Sequence, residues 1–184
     1  MVEARQGLGT FVLEPSRSRN FQVDPATVIT VRDVLDLLEF RISFESEAAA
    51  LAALRHTPEQ LRVIKDAVEY IQRLLESGVE TKKADFDFHL AVAKATGNRY
   101  FPELLEHLGL AILPRARLDL RYISSDNAKE YLCRSNGEHR EILAAITARD
   151  AEGARAAMRV HLTNSRDRLE GLYAKSDAKA PVQG

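Results

Sequence analysis

Asp85 and His89 stand one helical turn apart, and His139 and His161 follow further along the chain. Each falls on the apolar stripe of a predicted helix, where an ionisable side chain must find a partner. Burying such a group unpaired costs roughly several kcal/mol. A divalent cation held by three imidazoles and one carboxylate would satisfy all four together. Zinc or nickel fits that donor set first, and iron or manganese next. Four donors on three helices leave one or two coordination positions for water or a ligand oxygen. Taken singly, the residues have plainer readings. A lone histidine on an apolar stripe is commonly hydrogen-bonded core, and an Asp–His pair at i, i+4 is a surface contact of ~0.3 kcal/mol. Their coincidence on inward stripes favours the joint site.

The elements that must position these residues are helices. Helix one is predicted over residues 31–55, where Val31, Val34, Leu35, Leu38, Ile42 and Ala49 recur at helical spacing. Thr57-Pro58-Glu59-Gln60 opens helix two with an N-cap threonine, proline at the first position and a capping-box glutamine. Its stripe of Leu61, Ile64, Val68, Ile71 and Leu75 ends at Ser77-Gly78. Helix three, residues 80–96, carries Asp85, Phe88, His89, Val92 and Thr96 inward and stops at Gly97-Asn98. Helix four begins near Phe101-Pro102 and continues past Ile112, with Pro114 as a kink. Ser124-Ser125-Asp126-Asn127 is read as a break before helix five, residues 128–147. Asp150 caps helix six, which is predicted to reach Tyr173.

His139 and His161 are equidistant from the Arg149-Asp150 turn between helices five and six. In an antiparallel pair that places them level, about 16 Å from the turn at ~1.5 Å per residue. Helix three must then cross this pair for the site to close. His56, at the end of helix one where a cation meets the helix dipole, and His107 are left outside the site.

The fold expected is all-α, an antiparallel bundle of about six helices behind a short β-hairpin. Val2–Arg5 and Thr10–Leu13 are β-prone runs around Gln6-Gly7-Leu8-Gly9, and a hairpin of two strands is marginal alone. The domains are therefore a hairpin remnant (1–14), a polar linker (15–29), a helical domain (30–174) and a flexible tail (175–184). Hydrophobic residues are 45% of the 184, charged residues 29%, and the net charge is -1, so no global basic field draws nucleic acid. The one cysteine, Cys133, excludes an internal disulfide. No run approaches the ~20 apolar residues of a membrane span. A cytoplasmic protein without membrane contact is expected.

Several of these segments together resemble the GntR superfamily of bacterial transcription regulators, in its FadR-type branch with the all-helical FCD effector domain. The carrying residues are Glu39-Phe40-Arg41, Phe44-Glu45 and Ala52-Ala53, then Asp85, Phe88 and His89 ending in Gly97-Asn98. Glu138-His139-Arg140, Asp150-Ala151 and His161-Leu162 complete the series. The resemblance implies metal ligation by Asp85, His89, His139 and His161, and a small carboxylate as effector. It places Arg41 where an arginine faces that effector, and an arginine fork suits a carboxylate; a snorkelling surface arginine is the plainer reading. Arg5-Gln6-Gly7-Leu8-Gly9-Thr10 is similar to the wing of the family's winged helix-turn-helix. Arg5, Gly7, Gly9 and Thr10 are the implied DNA-contacting positions. The helices expected before the wing are not in this sequence, so specific operator binding is expected to be lost from it.

The reading that follows is the effector-sensing and dimerising domain of a metabolite-responsive regulator, a homodimer with helices one and four as the dimer face. A metal-dependent hydrolase or lyase is the alternative. It needs a general base that is not itself a ligand. Asp87 is turned about 200° from Asp85, and Glu138 lies off the His139 stripe, so no such base is evident. A purely structural metal is the third reading.

Overall fold

A computed structural model of the chain describes residues 2–5, 9–12, 31–108 and 125–177. Two short strands, β1 (Val2–Arg5) and β2 (Gly9–Val12), pair antiparallel with Arg5 opposite Gly9 and Val2 opposite Val12. The described helices are α1 (Val31–Arg55), α2 (Pro58–Glu76), α3 (Lys82–Ala95), α4 (Tyr100–Leu108), α5 (Ser125–Thr147) and α6 (Ala151–Asp177). The expected all-α bundle is observed. The predicted linker, the Pro114 kink, Gly7 and the last seven residues lie outside the described residues.

Local chemistry sets most helix ends. Thr57 and Gln60 form the reciprocal capping box, with Gln60 N–H donating to Thr57 Oγ1 at 3.2 Å and Thr57 N–H to Gln60 Oε1 at 2.9 Å. Gly78 and Gly97 close α2 and α3 at φ +67° and +69°, a conformation glycine adopts without steric cost. At α6, Asp150 Oδ1 accepts from Gly153 N–H at 2.9 Å. Two ends differ from expectation by three or four residues. Ser125, Asp126 and Asn127 lie inside α5, because their types suit a helix first turn as well as a loop. The sixth helix runs to Asp177, past the expected end at Tyr173, since Ala174 and Lys175 propagate a helix and no glycine or proline intervenes before Pro181.

The tight turn between α5 and α6 puts Arg149, not a glycine, in the left-handed region at φ 57°. That conformation costs an L-residue about 1–2 kcal/mol. Its guanidinium offsets the strain by donating to the carbonyls of Leu54 and His56, both at 3.2 Å. The turn is thereby tied to the C-terminal end of α1. His56 is also drawn in: its ring is buried and Nε2 donates to the Ile146 carbonyl at 3.2 Å. The expected surface contact with the helix dipole is replaced by a core hydrogen bond that only packing against α5 provides. His107 is exposed on α4.

The α1 helix runs against α6, α3 and α5, while α2 packs on α3 and α5. Its direction is antiparallel to α6: Val34 and Leu38 meet Leu169, and further along Glu47 pairs with Arg155. The main core joins Ile64, Val68 and Ile71 of α2 to Phe88 and Val92 of α3, Ile142 and Ile146 of α5, and Met158 and Leu162 of α6. Burying each such aliphatic or aromatic side chain contributes about 1.5–3 kcal/mol. These apolar contacts bring the inward faces of α3, α5 and α6 together.

Candidate metal centre

On α3, the stripe through Asp85, Phe88, His89 and Val92 is buried, at 4%, 0%, 2% and 1% exposure. This helix packs along α1 and α2 and meets α5 and α6 through its side chains. The Phe88 ring lies against His139, with centroids 4.3 Å apart. His139 on α5 and His161 on α6 stand with ring centroids 4.5 Å apart, and His89 lies 5.3 Å from His161 and 5.6 Å from His139. One ring nitrogen from each histidine falls within 4.8 Å of the other two. Asp85 is beside them, its Oδ1 3.6 Å from His139 Nε2.

A cation fits the three imidazoles, while Asp85 stands near His139 and outside the group whose ligand atoms all lie within 4.8 Å of one another. Both ring nitrogens of His89 are buried and neither makes a hydrogen bond among the described residues, although Nδ1 lies close to a carboxylate. His161 donates from Nδ1 to Glu138 Oε2 at 2.8 Å, which leaves its Nε2 as the ring nitrogen for a metal. Metal–imidazole bonds of about 2.0–2.1 Å put ligand nitrogens at most about 4.2 Å apart, so the three rings must draw in from the 4.8 Å within which they lie to hold an ion. Burial, opposed by the Glu138 hydrogen bond, holds the His161 pKa below its ordinary 6.5, so the neutral ring that ligation needs is favoured.

Two carboxylates absent from the sequence-level site stand directly behind it. Glu45 on α1 is buried, with Oε2 2.5 Å from His89 Nδ1 and Oε1 accepting from Arg41 Nε at 2.5 Å. Burial pushes its carboxyl pKa up, but Arg41 and His89 outweigh that and hold it at about 2. Glu138 accepts from His161, from Asn164 Nδ2 at 2.9 Å, and from both terminal nitrogens of Arg168 at 2.9 and 3.1 Å. Desolvation is again outweighed, and its pKa also falls to about 2. Arg168 in turn lies 4.8 Å over the Tyr131 ring.

Arg41 is therefore no snorkelling surface residue. It is 2% exposed and reaches the histidines through Glu45. The i, i+4 spacing of Arg41 and Glu45 on an inward stripe was a signal available in the sequence. Glu138 left no such signal on its own helix; its partners are on α6. Asp87 points outward to Lys83, at 2.7 and 2.9 Å. Of the wing positions, Arg5, Gly9 and Thr10 lie in the strands.

The bundle gathers three buried imidazoles from three helices at its centre. Residues 36–164 match the FCD domain family, and the chain belongs to it, among the GntR-family transcription regulators. The chain is 34% identical over 177 residues to the HTH-type transcriptional regulator LutR of Bacillus subtilis (strain 168), a match covering 96% of this chain and 80% of that protein. It is 35% identical over 178 residues to the Uxu operon transcriptional regulator of Escherichia coli (strain K12), across 92% of this chain and 66% of the other. Among solved structures, Streptococcus agalactiae GntR superposes with a TM-score of 0.64 at 26% identity, covering 91% of this chain and 74% of that one. These relatives are regulators of transcription rather than enzymes.

Proposed function

We propose that the chain senses a small carboxylate at a buried divalent metal, zinc or nickel, on behalf of a dimeric transcription regulator. Asp85, His89, His139 and His161 hold the ion, and an effector oxygen takes the remaining coordination position. The observation that carries this reading is the convergence of three buried imidazoles from three helices, within 4.8 Å, beside a buried aspartate. Arg41 meets the effector carboxylate from α1. The domain works as a homodimer in the cytoplasm. Operator DNA is contacted only through a winged helix of which this sequence supplies the wing, the β1–β2 hairpin, with Arg5, Gly7, Gly9 and Thr10 at the contact. Effector binding then shifts the relative placement of the two DNA-binding heads, by as much as its affinity differs between the two arrangements.

Elemental analysis after dialysis tests the ion: about one metal per wild-type chain is expected, and its loss in His139→Ala. A thermal-shift panel of carboxylic acids tests sensing. A ligand at 100 times its dissociation constant stabilises by ~2.7 kcal/mol. A flat response across the panel in metal-loaded protein would remove the carboxylate from the proposal.

A further inference from the structure

We propose that Glu138 and Glu45 are positioning residues for the metal, each holding the Nδ1 edge of one imidazole so that the Nε2 edge is presented to the ion. This rests on the metal-centre reading above. A neutral imidazole carries one ring proton, and the protonated nitrogen cannot ligate. A carboxylate that accepts from Nδ1–H fixes the proton there and leaves the Nε2 lone pair free. Such outer carboxylates orient metal-bound histidines and raise their basicity.

Glu138 supplies this arrangement as a formed hydrogen bond, and Glu45 stands in contact with the Nδ1 edge of His89 without the alignment of one. Glu138 receives His161 Nδ1 at 2.8 Å, and Glu45 Oε2 lies 2.5 Å from His89 Nδ1. Each carboxylate is fixed from behind by an arginine, which keeps it charged and stops it swinging to another donor. On α6, His161, Asn164 and Arg168 recur at spacings of three and four, so one face presents three donors to a single carboxylate from α5. The neighbouring residues Glu138 and His139 thus divide the work: one enters the histidine cluster, and the other locks His161 from outside. An open groove lined by Arg134, Glu141 and Asp167 reaches Glu138 and Arg168 from solvent, while Glu45 and Arg41 are enclosed.

The test uses the full chain and zinc itself. Affinity is measured by competition with a chromophoric chelator, and imidazole tautomers are read by nitrogen-15 NMR in metal-free protein. Glu138→Ala is expected to weaken zinc binding 10–100-fold and to release His161 from the Nδ1–H tautomer. Glu138→Gln keeps a carbonyl acceptor in the same volume and should weaken binding less. Glu45→Gln is expected to act in the same way on His89. Asp87→Asn, on the outer face with Lys83, should leave zinc affinity unchanged. Suppose His161→Ala loses zinc but Glu138→Ala and Glu138→Gln keep both wild-type affinity and tautomer. The positioning role is then overturned, and the metal centre stands. A wild-type chain that takes up no zinc or nickel overturns the metal centre itself, and the positioning role with it.

Discussion

The two carboxylates behind the histidines are chemically the same device set in different solvents. Glu45 and Arg41 have side chains only 2% exposed each, whereas Glu138 and Arg168 are at 17% and 21%. Both acids are held near a pKa of about 2, yet the consequences of breaking them differ. In the enclosed pair the desolvation cost of Glu45 is met chiefly by Arg41, with the His89 ring beside it, so losing the arginine leaves a buried charge under-compensated. In the half-open pair water approaches from the groove and takes up part of the loss. The contrast predicts unequal contributions to stability from two acids whose pKa values are lowered alike.

The largest expected effect is from Arg41→Ala, which leaves Glu45 buried beside a single imidazole. Urea unfolding should show a loss of about 3–5 kcal/mol, the usual consequence of halving a buried ion pair. A loss no larger than that of Arg168→Ala would end the distinction between the two arms.

Acid should act next, in two stages that can be followed by melting the metal-free protein from pH 7.5 to 2.5. His161 has a folded pKa below its ordinary 6.5, so the unfolded chain binds the proton first and stability is lost as pH falls through and below 6.5. The contributions of Glu45 and Glu138 are complete above their ordinary 4.5 and disappear as pH falls toward about 2. Replacing His161 with Asn should flatten the first stage and shrink the Glu138 part of the second, leaving the Glu45 part in place. An unchanged first stage would assign it to another group.

A smaller change is expected for Arg168→Ala, about 1 kcal/mol in the same unfolding assay, since Asn164 and His161 continue to donate to Glu138. At the far end of the scale, Arg62→Ala should cause no measurable change. Its partners Glu59 and Asp66 are exposed surface charges that water solvates equally well.

Most of the bundle could be read from the chain because helix signals are local. Periodicity marked α1 and α2, the Thr57-Pro58-Glu59-Gln60 box marked the start of α2, and the glycines at 78 and 97 marked the ends of α2 and α3. Disagreements fell where a local signal is ambiguous, as with Ser125-Asp126-Asn127, or where packing replaces it, as with buried His56. Within the site, inward stripes selected the histidines and Asp85. Glu138 escaped because a residue off one helix's stripe can still face a neighbouring helix, and that neighbour's rotation is not encoded locally.

The sequence by itself determined where the helices run to within a few residues, which faces are apolar, and that His139 and His161 stand equally far from one turn. Those are properties of short stretches, governed by backbone hydrogen bonding and the 3.6-residue repeat. Only the tertiary structure decided that α3 carries His89 and Asp85 to that pair, that Arg41 is enclosed, and that Glu45 and Glu138 back the imidazoles. These depend on how core side chains such as Phe88, Ile142 and Leu162 interlock, and that packing is set by the whole bundle at once.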